Sequence, residues 1–193
     1  MDKKRPRITP SPKLKVEQMF SNLQYKLSKL QKLILLTDGS ITTLLEIITG
    51  EPVTVRTLTQ GITKADYEIS ELLEIEEGDN INYRVVILKN VEREKPLIYA
   101  ESYTPISRLQ RQFKHDLMKA DIPIGRIMRE RKIESRREIE KIETVFNAEL
   151  SEMFDVPYHV PMLSRTYNII NNDMVLIRIT ETFPLTSFLG LNA

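Results

Sequence analysis

Two charged residues stand among apolar neighbours: Arg84 in YRVVIL (83–88) and Glu181 in VLIRITETF (175–183). Side chains alternate between faces along a strand, so Arg84 shares a face with Val86 and Leu88, and Tyr83, Val85 and Ile87 share the other. One face must therefore carry a guanidinium among apolar groups. Such a charge is tolerated when it is paired, so the position asks for an anion from the protein or from a ligand. The plain account is an arginine at a strand end that reaches solvent or a structural carboxylate. Arg84 and Glu181 could pair with each other. They could instead form the two polar ends of an apolar pocket, one gripping a substrate carboxylate and the other a hydroxyl.

Other chemistries find little support. The 193 residues contain no cysteine, which removes thiol nucleophiles, thiolate metal sites and disulfides. The two histidines, His115 and His159, have no spacing suited to a metal or a serine triad, and they read as ordinary surface or half-buried residues. The six glycines form neither GxGxxG nor GxxxxGK, and GxSxG is missing. With 28 basic and 27 acidic residues the net charge is +1, which recommends neither nucleic acid nor an anionic membrane as a partner. No apolar run approaches the roughly 20 residues of a membrane span, and the amino terminus lacks a signal-peptide core. The expectation is a soluble cytoplasmic protein.

The elements that must position the two charges follow from periodicity. Residues 1–13, MDKKRPRITPSPK, are basic and proline-rich and read as a flexible tail; residues 14–193 are long enough for one domain. From Leu14 to about Leu36, apolar residues recur at steps of three and four, predicting one amphipathic helix. Gly39 breaks it, and Ser40 caps a second helix with Ile41, Leu44, Leu45 and Ile48 inward, ending at Gly50. A strand follows in PVTVRTLTQ (52–60), then a short helical turn around Tyr67 to Leu73, then a turn at 78–80. Residues 82–107 read as an antiparallel hairpin closed by Pro105, and Ser107 to Ala120 as a helix using Leu109, Phe113 and Leu117. IPIG (122–125) interrupts it before a short helix from Arg126 to Arg131, whose exposed amides sit at Ile124, Gly125 and Arg126. Residues 134–154 fit a helical stripe through Ile139, Ile142, Val145, Phe146, Leu150 and Met153. The alternative is a strand from Arg136 to Phe146, with a helix capped by Asn147. A second hairpin closes the chain, with its turn at Asn171 to Asp173 and its last strand stopped by Pro184.

The order LLTDGSITTLLEIITGEPVTV, then YRVVIL with PLIYAESYTP, then IPIG, then ITETFP resembles the chorismate lyase family, its archaeal branch included, over residues 30 to 188. The resemblance implies an α+β fold, a single antiparallel β-sheet flanked by helices, with a small ligand enclosed beneath two helix-turn flaps. It also implies the strand reading of 136–146. It implies a lyase that converts chorismate to 4-hydroxybenzoate and pyruvate without metal or organic cofactor. Carried across, the arginine for the ring carboxylate falls on Arg84 and the glutamate near the 4-oxygen on Glu181. The pocket-lining residue of the first flap falls on Ile41, and the main-chain contact of the second on Ile124, beside Gly125. TETFP is one residue shorter after the glutamate than the common bacterial pattern, and the second flap carries isoleucine where leucine is frequent. The run LLEIEEGDNINYRVVIL with PLIYAESYTP is similar also to the effector domain of GntR-type repressors, which implies a stand-alone small-molecule sensor without catalysis. About 35 residues precede the shared region, too few for the winged-helix module of those repressors.

Overall fold

A computed structural model describes residues 18–119 and 121–190. The amino-terminal tail expected at 1–13 lies outside the described residues. Six strands form one sheet in the order β1-β2-β3-β6-β5-β4, every neighbouring pair antiparallel. They are β1 (Val53–Lys64), β2 (Asn80–Asn90), β3 (Pro96–Pro105), β4 (Arg136–Val145), β5 (Met162–Asn171) and β6 (Met174–Pro184). The helices are α1 (Lys29–Leu36), α2 (Ile41–Thr49), α3 (Tyr67–Leu73), α4 (Arg111–Leu117), α5 (Ile124–Glu130) and α6 (Ala148–Met153). This is the α+β architecture expected from the sequence. None of these helices is long and apolar enough to cross a membrane.

The sheet uses one face to hold two separate helix pairs. Ile34 and Leu35 of α1 and Ile41 and Leu45 of α2 pack with Val86, Leu88, Ala100 and Phe183. Phe113 and Leu117 of α4 and Ile127 and Met128 of α5 pack with Tyr167, Ile169, Ile177 and Ile179. Both sets of strand residues follow the period-2 alternation, so the two apolar clusters lie side by side on one face. The seam between them is where a site can form.

Local chemistry explains most of the elements. Ser40 Oγ accepts from Thr43 N at the start of α2, and Gly50 ends that helix at a φ of 69°, a left-handed conformation that glycine adopts at little cost. Asp66 and Asn147 cap α3 and α6 through Ile69 N (2.8 Å) and Leu150 N (2.9 Å). Asn172 and Asp173 take positive φ of 50° and 58°, the geometry that turns β5 tightly into β6.

Four expectations are corrected. The helix expected from Leu14 begins at Lys29; one turn at 18–20 precedes it, the intervening chain is irregular, and Leu14 to Val16 lie outside the described residues. The cause is Ser28, whose Oγ accepts from Gln31 N while Gln31 Oε1 accepts from Ser28 N, a capping box that starts a helix. The helix expected over Ser107 to Ala120 becomes a 3₁₀ turn at Ile106–Arg108 and a separate α4, because the Arg108 guanidinium is held by the carbonyls of Leu73 and Val175. The strand from Pro52 runs four residues past Gln60, paired with β2 to its end, around a bulge between Thr57 and Thr59. The second flap helix starts at Ile124, and of its three amides Arg126 N already donates to Pro123 O (3.0 Å).

The ambiguous segment 136–145 is a strand, and the reason for its helical spacing is visible. A bulge between Ile139 and Lys141 adds one residue, so Ile139 and Ile142, three apart, both pack on the same core.

Candidate functional site

The seam between the helix pairs is a cavity of about 60 Å³. Its floor is the sheet: Arg84, Val86 and Leu88 from β2, Ala100 and Ser102 from β3, Ile179 and Glu181 from β6, Tyr167 and Ile169 from β5. Its cover is formed by Ser40 to Thr42 at the start of α2 and by Pro123 to Gly125 at the start of α5. The structure therefore brings Ile41, Arg84, Ile124, Gly125 and Glu181 to one enclosure. Register explains the meeting of the two charges, since Arg84 is opposite Ser102 and Glu181 is opposite Ala100, two residues along the same strand. That offset sets their Cα atoms roughly 12 Å apart, facing the same side.

Arg84 is 1% exposed yet has no carboxylate partner among the described residues. Its Nη2 donates to Ile122 O at 3.0 Å and, at 3.4 Å, to Thr57 Oγ1; its Nε is buried with no partner. Burial pushes its pKa below the ordinary arginine value, with the Asp121 carboxylate pulling the other way. Asp121 is itself occupied, accepting from Thr57 N at 2.7 Å. The guanidinium thus braces the loop leading into α5 and leaves its Nε donor unused.

Glu181 does not pair with Arg84. Its partner is Arg165, the residue opposite it on β5, also 1% exposed. Arg165 Nε donates to Glu181 Oε2 at 2.7 Å, and its Nη2 lies as close to the same oxygen but out of line for a hydrogen bond. Arg165 Nη1 is held by the carbonyls of Ile34 (2.5 Å) and Thr37 (3.0 Å), which ties the pair to the end of α1. Tyr167 OH donates to Glu181 Oε1 at 3.1 Å, and the Arg165 guanidinium lies 4.9 Å from the Tyr167 ring centre. Burial works against the Arg165 cation, but the carboxylate more than offsets it, and the net shift is upward. Burial and the same carboxylate raise the Tyr167 phenol, so it remains a donor. Glu181 thus has both Arg165 nitrogens against Oε2 and the Tyr167 hydroxyl on Oε1, which leaves Oε1 the less occupied of its two acceptors.

Sequence reasoning missed Arg165, Tyr167 and Arg137. Arg165 carries the same signal as Arg84, a cation sharing a strand face with Leu163 and Tyr167. Arg137 lies in the charged run ESRREIEK, where nothing in the residue types separates it from a solvated face. His115 and His159 are both exposed, and no group of metal-ligating side chains occurs among the described residues.

Residues 35–189 match the family model described as chorismate pyruvate-lyase Rv2949c-like. The chain belongs to that family. A relative in Methanocaldococcus jannaschii, named "Putative lyase MJ0807", is 37% identical over 179 residues, 89% of this chain and 86% of its own. Among solved structures, the effector domain of PhnF from Mycobacterium smegmatis superposes with a TM-score of 0.65 at 14% identity, over 77% of this chain and 90% of that domain. In the longer PhnF structure this chain spans 65% of the length. The C-terminal domain of the histidine utilization repressor from Pseudomonas syringae pv. tomato gives 0.57 at 10% identity, over 68% and 91%. The lyase family and these effector domains share the fold.

Proposed function

We propose that this member of the chorismate pyruvate-lyase family converts chorismate to 4-hydroxybenzoate and pyruvate in the cavity between α2 and α5. The observation that carries the reading is Arg84, a fully buried guanidinium with an unpartnered Nε on a floor it shares with Val86, Leu88, Ala100, Ile169 and Ile179. A planar carboxylate is its natural complement, because it can accept two parallel N–H bonds in a dry site. Glu181 supports the other end. Anchored by Arg165 and Tyr167, its carboxyl group accepts a hydrogen bond from the ring hydroxyl.

The reaction needs no further reagent. The ring C3–O ether bond breaks, its oxygen becomes the carbonyl of pyruvate, the C4 hydrogen moves to the enol methylene, and the ring becomes aromatic. The protein's task is then to hold the enolpyruvyl arm over the C4 hydrogen while Arg84 fixes the ring, and positioning supplies much of the acceleration. Ile41, Ile124 and Gly125, from the two covering helices, close the space around the ring and exclude water.

A second reading, ligand binding without turnover, draws on the fold shared with repressor effector domains. Incubating purified protein with chorismate and following 4-hydroxybenzoate by chromatography, with pyruvate measured in parallel, separates the two. Equal amounts of both products above the spontaneous rate are expected. Saturable binding of chorismate with no product would refute the lyase reading and leave the sensor.

A further inference from the structure

Among the described residues, Arg84 is one of two guanidiniums lining this cavity that make no salt bridge with a carboxylate. The other is Arg137, which reaches the enclosure from β4, at the opposite edge of the sheet from β1. Its Nη1 donates to the carbonyl of Asp38 at 2.7 Å, and its Nε is buried with no partner. Two carboxylates of its own strand are engaged elsewhere: Glu138 with Arg136, and Glu140 with Arg178 and Asn168. No salt bridge among the described residues involves Arg137 itself.

Its place in the fold is specific. A Cβ built on Gly125 would stand 4.0 Å from Arg137 Nη2 and 3.7 Å from Ser40 Oγ, so the guanidinium sits where the first turns of α2 and α5 meet. β2 and β4 are separated by three strands, so the two uncompensated cations approach the cavity from different sides. The Arg165–Glu181 pair, which is internally neutral, lies on the strands between them.

We propose that Arg137 is a second anion contact, so that the cavity selects a ligand bearing two carboxylates at separated positions over a monocarboxylate. This rests on the lyase reading for its substrate. Chorismate carries one carboxylate on the ring, for Arg84, and one on the enolpyruvyl arm, for Arg137; 4-hydroxybenzoate keeps only the first. Holding the arm by its carboxylate fixes the rotation that brings the enol methylene over the C4 hydrogen.

The test is calorimetric binding of two unreactive probes, 4-hydroxybenzoate and 3-(carboxymethoxy)-4-hydroxybenzoate, to the full chain. The diacid should bind the unsubstituted protein about tenfold or more tighter, the effect of one charge-assisted contact. Arg137→Gln should bring the two probes to near parity without weakening 4-hydroxybenzoate, and Arg137→Lys should keep part of the preference. Unchanged discrimination in Arg137→Gln overturns the proposal, as does an equal loss for both probes, which would make Arg137 only a brace for the loop at Asp38. No preference in the unsubstituted protein overturns it too. Should the diacid preference depend on Arg137 while chorismate is never turned over, the lyase reading fails and the dicarboxylate site stands.

Discussion

Arg84 and Arg165 are each 1% exposed and lie on the same sheet face, yet replacing them by methionine should differ sharply in cost. In Arg165→Met the apolar stem is retained, but Glu181 becomes a buried carboxylate with only Tyr167 for a partner, and the carbonyls of Ile34 and Thr37 lose their donor. Removing one member of a buried pair costs about 3–5 kcal/mol. A chain of this size loses about 2–4 °C of Tm per kcal/mol, so unfolding should come roughly 6–20 °C earlier. Arg84→Met forfeits one hydrogen bond of 3.0 Å and one of 3.4 Å. Against that it relieves a desolvated cation with no directly paired carboxylate, a term of opposite sign and comparable size, so the net change should stay within about 1 kcal/mol. Urea unfolding followed by circular dichroism and by tyrosine fluorescence, with coincident transitions confirming two-state behaviour, measures both. The same Arg84→Met protein should lose measurable affinity for 4-hydroxybenzoate. If it is as unstable as Arg165→Met, Arg84 is a structural residue and the case for a ligand carboxylate collapses.

Glu181→Gln should lower kcat by more than it changes KM, because the ring hydroxyl loses a charged acceptor; unchanged kcat would make Glu181 a wall residue. Alkaline pH offers an independent check on the opposite sheet face, where burial and then the Glu101 carboxylate push the Tyr83 phenol up to about 12. A pKa raised on folding contributes stability that is whole below the unfolded value of about 10 and is lost as pH climbs toward 12. A denaturation midpoint that holds steady across that window would contradict the assignment.

Much of the fold is legible in residue order. Ser40, Asp66 and Asn147 announce helix starts because their short side chains bond the free amides of the first turn. The two hairpins follow from alternation and turn residues, and Arg84 stands out because period-2 geometry sets its charge on the same face as Val86 and Leu88. These are local properties, decided within a few residues of chain. The long helix expected over 14–36 failed for the same kind of reason, since the Ser28 capping box outweighed a good apolar periodicity. The strand at 136–145 could not be settled locally, because one bulge makes residues three apart share a face, as they do on a helix.

What tertiary structure alone decided is which charge answers which. Glu181 could have neutralised Arg84; the β5–β6 register instead sets Arg165 directly opposite it, and a one-residue slip would have turned the pair to different faces. That choice leaves Arg84 without a paired carboxylate, and the β4–β5 register sets Arg137, anonymous in a charged segment, near the junction of α2 and α5. Residue types determined that buried cations would need partners. Only strand register and helix packing, acting between residues far apart in the chain, determined which of these cations are left without a carboxylate partner.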